Sequence, residues 1–301
     1  MTFISLPNSD LKRVTMQDLK RFYQNPARYI LNQRLGIYLE EPERILQGEE
    51  PFSLEGLDRY MLGDLLTRKA LRGEELNQYL AVARAQGILS PGVPGELAFN
   101  RLESEVEAFV RQIRPHVAAQ QLPPIEVDLE IAGFGISGRL DGIWPPGIVA
   151  FRVAKDKGRY QLAAWIDHLI LNRSRKQGYP VTTRLITLDK IWLYQPVEGS
   201  DEMLEKLLHL YWQGLTEPLR FFPESSLNFA ERISKGEKIP EALKAAQTVW
   251  QGSDFVQGVR GEGSDPYLGL CFGEADPFID PFSEIALAVL GPLIEHREKV
   301  R

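Results

Sequence analysis

ISGRLDGIWPPGIVAFRVAKDKGRYQLAAW, residues 136–165, passes from one hydrophobic period into another. The apolar stretch ending at Trp144 meets Pro145-Pro146-Gly147, which forces a turn, and Ile148-Val149-Ala150-Phe151 follows as a short buried strand. Over 160–172 the residues Leu162, Trp165, Ile166, Leu169 and Ile170 recur at helical spacing. Just upstream, Ile125, Val127, Leu129 and Ile131 alternate with Glu126, Asp128 and Glu130, the period of two that marks a half-buried strand, and Gly133 and Gly135 permit a turn. The stretch therefore predicts three consecutive antiparallel strands over 125–131, 136–144 and 148–153, with the helix 160–172 packed on one face. Segments 182–187 and 190–195 add two more strands.

Outward from this core the pattern is helical. Thr15 and Asp18 open a helix in the manner of a capping box, Asn25-Pro26 interrupts it, and a second helix carries Ala27, Tyr29, Ile30 and Leu31. Segment 54–85 reads as helix with Leu57, Tyr60, Met61, Leu65 and Leu66 on its apolar side, and 99–120 as a long helix. Beyond Glu202 a helix carries Leu204, Leu207, Leu208, Leu210 and Tyr211, and 284–296 forms a closing helix. The expected fold class is α/β of the mixed α+β kind. Its expected parts are a helical region 1–122 packed on the core, an αβ core 123–200 and a C-terminal helical extension 201–301 of the same domain.

Composition narrows the function classes. With 44% hydrophobic and 25% charged residues the chain is that of an ordinary globular protein, and its 301 residues suffice for a substantial core. A net charge of -6 argues against tight DNA binding by the chain alone, because a protein that holds phosphates unaided carries a basic excess. Lys155, Lys157, Arg159, Arg173, Arg175 and Lys176 nevertheless concentrate between acidic stretches, and two readings stand for them: a solvated helix face or a DNA-contacting strip. One cysteine, Cys271, excludes an internal disulfide framework and any zinc or iron–sulfur site built from CxxC pairs. The first residues lack a basic-then-apolar signal and no apolar run approaches about 20 residues, so a cytoplasmic protein without a membrane span is expected. There is no G-x-x-x-x-G-K-[ST] phosphate loop. No cofactor and no metal are expected. Trp144, Trp192, Tyr194, Trp212, Phe221 and Phe222 are candidate interface anchors or core residues.

Gly138-Arg139-Leu140-Asp141, the apolar strand running into Ala150-Phe151-Arg152, and Gln161-Leu162-Ala163-Ala164-Trp165 together resemble the RecB-like branch of PD-(D/E)xK nucleases. That branch has Gly-x-x-Asp, then Asp-aromatic-Lys, then Gln-x-x-x-Tyr, and upstream a Gly-x-x-x-His helix matched here by Gly63-Asp64-Leu65-Leu66-Thr67. The resemblance implies a restriction-endonuclease-like core whose carboxylates hold Mg²⁺ while a lysine positions the attacking water. Here Ala150, Arg152 and Thr67 stand where carboxylate, lysine and imidazole are needed, so the resemblance implies a degenerate site without metal or intrinsic catalysis. Asp141 is then expected to bond a turn amide or Arg152, Glu130 to face solvent, and Gln161 and Trp165 to pack the helix on the sheet. The rival is an active Mg²⁺-dependent exonuclease with ligands drawn from Asp141, Glu130 and Asp156; a protein-binding scaffold independent of DNA is the other.

The flanks narrow the family. Residues 18–36, with Asp18-Leu19-Lys20-Arg21-Phe22-Tyr23-Gln24-Asn25-Pro26, and the tail from Asp265-Pro266-Tyr267-Leu268 to Leu290-Gly291-Pro292-Leu293, resemble the C-terminal region of the RecC family, the gamma subunits of exonuclease V. Asn25 stands where related iron–sulfur nucleases have a cysteine. The resemblance implies a fragment of a longer subunit, partnered by the beta (nuclease–helicase) and alpha (helicase) subunits and by DNA within that complex. The implied roles are subunit assembly and DNA guidance during end unwinding, degradation and recombinational repair.

Overall fold

A computed structural model describes residues 9–39, 54, 56–252, 261–273 and 275–300; residues 1–8, read above for a targeting signal, lie outside the described residues. In chain order the elements are β1 (Arg13–Thr15), α1 (Met16–Gln24), α2 (Pro26–Leu35), α3 (Gly56–Leu71), α4 (Tyr79–Ala85) and α5 (Val93–Ile113). The strands β2 (Ile125–Ile131), β3 (Phe134–Leu140), β4 (Ile143–Trp144) and β5 (Gly147–Phe151) come next, followed by α6 (Gly158–Ser174), β6 (Thr183–Ile186) and β7 (Ile191–Tyr194). The chain closes with α7 (Ser200–Gly214), α8 (Pro223–Ser234), α9 (Ile239–Gln251), α10 (Pro266–Phe272), α11 (Phe282–Glu295) and β8 (Arg297–Val300). Among the described residues no helix is long and apolar enough to cross a membrane.

The strands form two sheets, ordered β1-β3-β2 and β4-β5-β6-β7-β8. This corrects the expected three-strand meander. β2 and β3 do pair antiparallel, from Ile125 opposite Leu140 to Ile131 opposite Phe134. The strand expected over 136–144 is cut at Gly142, whose left-handed φ of +68° turns the chain out of one sheet and into the other. Its carbonyl then accepts from the Val149 amide at 3.0 Å. β5 and β6 run parallel, which requires the crossover that α6 supplies.

Alternation along β5 produces the layers. Ile148 and Ala150 face the cluster of Leu162, Trp165, Ile166 and Leu169 from α6, while Val149 and Phe151 face Phe109 and Ile113 of α5. The sheet is thus sandwiched between α6 and α5. α1 packs against α6 and α7, where the Tyr23 hydroxyl donates to Leu207 O at 2.6 Å. Two strands had no sequence expectation: β1 adds to β3 in parallel, and β8, reading Arg297-Glu298-Lys299-Val300, completes the second sheet as the antiparallel neighbour of β7.

Helix boundaries follow local chemistry. Thr15 caps α1, accepting from the Asp18 amide at 3.0 Å, and Asn25 both ends α1 and caps α2, with Pro26 in its first turn. The expected helix over 54–85 is two helices, because the chain turns at Gly73 with φ +80°. Its buried face is also corrected: Leu62, Leu66 and Ala70 are buried, whereas Leu57, Met61 and Leu65 are exposed. α5 starts earlier than expected, at Val93 with Pro94 in the first turn, and gives way at Arg114-Pro115 to a 3-10 turn instead of reaching residue 120.

Candidate functional site

The carboxyl end of β5 and the start of α6 carry the positions that the sequence singled out. β5 is clamped by β6, with Ala150 opposite Leu185 and the Arg152 amide donating to Ile186 O at 2.9 Å. The half-buried Arg152 guanidinium donates to the Phe151 carbonyl at 2.9 Å. α3 lies against this strand end, and a Cβ on Gly63 would sit 3.1 Å from Val153 Cγ1, so the glycine permits the approach. One turn on, Thr67 is wholly buried and its hydroxyl donates to Gly63 O at 2.8 Å, which satisfies it inside its own helix. The structure thus brings Thr67, Ala150 and Arg152 to neighbouring elements.

Asp141 does not join them. It is exposed at the end of β3 and accepts from Arg139 Nε at 3.0 Å, a correction to the expected Arg152 partner that follows from the chain's passage between sheets at Gly142. Glu130 faces solvent on β2 opposite Gly135. Because Leu140 pairs with Ile125, Glu130 sits about 17 Å along the ladder from the Asp141 end, too far to share an ion with it. Among the described residues no three His, Cys, Asp or Glu side chains gather to hold a metal.

Asp156 turns inward. Its side chain is 2% exposed, and Oδ2 accepts from Gln161 Nε2 at 2.7 Å, Trp192 Nε1 at 3.0 Å and Lys190 Nζ at 3.1 Å. Oδ1 has no protein partner. Gln161 Oε1 in turn accepts from Arg297, which covers the Trp192 ring at 4.2 Å and pairs with Glu231. Gln161 and Trp165 are fully interior.

Arg152 is within electrostatic reach of Tyr60 on α3 and Asp167 on α6. Lys20 holds Asp167 at 2.7 Å, and Arg68 holds Asp64 at 2.8 Å. Burial raises the Asp167 carboxyl above its usual range, with Lys20 and Arg152 acting against the shift. Tyr60 is half-buried; burial raises its hydroxyl pKa, and it lies within electrostatic reach of Arg152, Asp64, Tyr160 and Arg68. Arg159 covers the Tyr160 ring at 5.1 Å. Sequence reading missed Lys20, Asp167, Asp64 and Tyr160, and placed Tyr60 on an apolar face, since only tertiary contact assembles them.

The six basic residues fall into two groups. Lys155, Lys157 and Arg159 lie at the start of α6, while Arg173, Arg175 and Lys176 lie at its end, about 25 Å away for 17 residues of helix. Arg173 pairs with Asp201, and Lys176 stands over Tyr179. Of the candidate interface aromatics, Tyr194, Phe221 and Phe222 are wholly buried and Trp192 nearly so, which makes them core; only Trp144 and Trp212 are half-buried.

Helix termini near the site are capped in trans. Glu224 at the start of α8 accepts from the Gly158 amide at 2.8 Å and the Arg159 amide at 3.4 Å, closing the amino end of α6. Glu262 does the same for α8, accepting from the Glu224 amide at 3.1 Å and the Ser225 amide and hydroxyl at 2.8 Å each. The flanking segments also meet, Asn25 Nδ2 donating to Asp265 Oδ2 at 3.0 Å between the caps of α2 and α10. A surface cavity of about 510 Å³ lies elsewhere, lined by Glu74, Glu75, Glu103 and Glu107 with Arg111 and Arg114, and shares no residue with the site.

Comparison with known proteins agrees with the flanks. A family profile described as the RecC C-terminal domain matches residues 11–234. The RecBCD enzyme subunit RecC of Escherichia coli (strain K12) is 26% identical over 86% of this chain and 24% of its own length. The subunit of the same name from Buchnera aphidicola subsp. Schizaphis graminum is 24% identical over 95% of this chain and 27% of its own length. That from Haemophilus influenzae is 24% identical over 90% of this chain. The chain spans about a quarter of the length of these curated relatives.

Proposed function

The chain belongs to the RecC C-terminal domain family, and from that premise we propose that it is a catalytically silent, nuclease-like part of a RecC subunit that docks partner subunits and guides DNA without cutting it. The relatives are named as subunits of the RecBCD enzyme. The proposed partners are accordingly the beta subunit RecB and the alpha subunit RecD, acting in the cytoplasm on DNA ends during unwinding, degradation and recombinational repair. The core is read as a PD-(D/E)xK sheet with degenerate positions Thr67, Asp141, Ala150, Arg152, Gln161 and Trp165, and segments 1–122, 123–200 and 201–301 as parts of one unit.

The observation that carries this reading is the content of the β5 end. Mg²⁺ is held by a few direct oxygens, each a large share of its charge balance. Ala150 offers none, Thr67 spends its hydroxyl on Gly63, and Asp141 is turned toward Arg139. Arg152 stands at the position of the motif's lysine, and its guanidinium cannot act as a base at any working pH.

Purified chain given Mg²⁺ or Mn²⁺ should leave single- and double-stranded DNA intact, and co-expressed with RecB and RecD it should co-elute with them from a sizing column at physiological salt. DNA degradation that Asp141→Ala abolishes overturns the silent reading. Elution apart from both subunits overturns the docking.

A further inference from the structure

The leading amides of a helix have no acceptor inside it, and in α6 and α8 the residue before the helix supplies none either. Neither Lys157 nor Phe222 makes a side-chain cap. Glu224 provides the acceptor for α6, at 2.8 Å from the Gly158 amide. Glu262 provides it for α8, at 3.1 Å from the Glu224 amide and 2.8 Å from the Ser225 amide. Glu224 is therefore a joint: its own amide is held by Glu262, and its carboxylate holds α6.

Both sides of the joint are tight. Gly158 lies against the Pro223 carbonyl, where a Cβ would collide, so the starts of the two helices are in direct backbone contact. Glu262 opens a 3-10 turn, Glu262–Ser264, in which Gly261 and Gly263 press on Trp250 of α9 so closely that neither admits a Cβ. The Ser225 hydroxyl adds a third bond to the Glu262 carboxylate at 2.8 Å. All three bonds run to α8; among the described residues none reaches α6. Asp265, at the end of the same turn, is spent on the Tyr267 amide and on Asn25, so it does not share the task.

We propose that this turn is a strap with Glu262 as its control point: anchored on Trp250, it sets the first turn of α8 and, through Glu224, the first turn of α6, which Glu262 does not touch. Order passes in one direction along the strap. Removing Glu262 frees both helix starts, whereas removing the Glu224 side chain frees α6 alone and leaves the Glu224 amide on Glu262. Anything that lifts the turn from Trp250 is felt at the connection from β5 to α6, more than a hundred residues back in the sequence. The device stands on the cap geometry and is independent of whether the domain handles DNA.

The test is amide hydrogen exchange of the full chain, followed residue by residue by NMR. The Gly158, Glu224 and Ser225 amides have no partner within their own helices, so their protection reports the strap and nothing else. Glu262→Ala should lower it about tenfold at Glu224 and Ser225 and by a similar factor at Gly158. Glu224→Ala should lower it at Gly158 only, and the double variant should lose no more there than Glu224→Ala does. Glu262→Gln, which keeps an acceptor oxygen and gains a donor for the Ser225 hydroxyl, should retain most of the protection. The Trp192 indole N–H, bonded to Asp156 at 3.0 Å in the core, is the internal control and should not change. Should Glu262→Ala fail to fold, Ser225→Ala, which removes one of the three bonds, should give the same pattern at about two- to threefold.

Full protection at Gly158 in a variant that has lost it at Glu224 and Ser225 overturns the proposal, because the two caps would then be independent. So does Glu224→Ala that loosens the α8 amides as much as Gly158, since order would not pass one way. A loss shared equally by the Trp192 indole overturns it as well, because that is ordinary destabilisation of the whole fold.

Discussion

Replacing Asp156 by alanine should cost about 3–5 kcal/mol of folding stability, a figure set by how its carboxylate is used. Oδ2 accepts from Gln161 Nε2 at 2.7 Å and from Trp192 Nε1 at 3.0 Å, in an environment where the side chain is 2% exposed. A hydrogen bond to a charged group contributes about 1.5–3 kcal/mol, and its loss here strands two buried N–H groups. The Lys190 pair adds less, since that side chain is 36% exposed and water replaces much of what it loses. Asp156→Asn keeps one acceptor oxygen and should cost about half as much. Urea unfolding followed by circular dichroism measures both; at a slope of about 3 kcal/mol/M the alanine midpoint should fall by more than about 1 M. A loss below about 1 kcal/mol for alanine would refute the reasoning, because it would mean that water already reaches Gln161 and Trp192.

Two further perturbations test the core. Gly138 has φ +152°, and a Cβ there would lie 3.0 Å from Met16 Cγ and Sδ, so Gly138→Ala should cost about 2–3 kcal/mol, part of it recovered by Met16→Ala in a double-mutant cycle. Additive losses would show that backbone strain alone is responsible. Burial lowers the His168 imidazole from 6.5 to about 4, with Nε2 against Gln195 O and Nδ1 against the Thr183 hydroxyl. The folded state holds the ring neutral, so its contribution is complete above pH 6.5 and falls as pH drops toward 4, by roughly 3 kcal/mol in all. Urea titrations across that range should show the slope in wild type and not in His168→Gln; a slope that survives assigns it to another group.

β2 was legible because apolar and charged residues alternate along it, the strands over 182–187 and 190–195 as short β-prone runs, and the helix over 160–172 because Leu162, Trp165, Ile166, Leu169 and Ile170 recur at helical spacing. α3 was legible as a helix but not in its orientation. It carries Leu57, Met61 and Leu65 on one side and Leu62, Leu66 and Ala70 on the other, and only contact with α5 decides which is inside. β1 and β8 were missed because three or four residues beside a helix hold no period, and their partners lie over a hundred residues away. At the site, the replacement of the catalytic residue types by Ala150, Arg152 and Thr67 could be read directly. The company Arg152 keeps could not, since Lys20, Tyr60 and Asp64 come from distant helices.

The charged strand β8 bears on how the protein is made. β7 reads Ile191-Trp192-Leu193-Tyr194, and until its partner arrives it is an apolar, unpaired edge of the kind that recruits strands from other chains. Residues 191–194 leave the ribosome about a hundred residues ahead of 297–300, which at about 5–20 residues per second leaves that edge open for about 5–20 s. The pairing is of high contact order, so it also closes slowly after synthesis. Once closed, the outermost strand of the sheet presents Glu298 and Lys299, and like edges of neighbouring molecules gain little by meeting there. β8 thereby acts as an aggregation gatekeeper that is the last part of its sheet to appear.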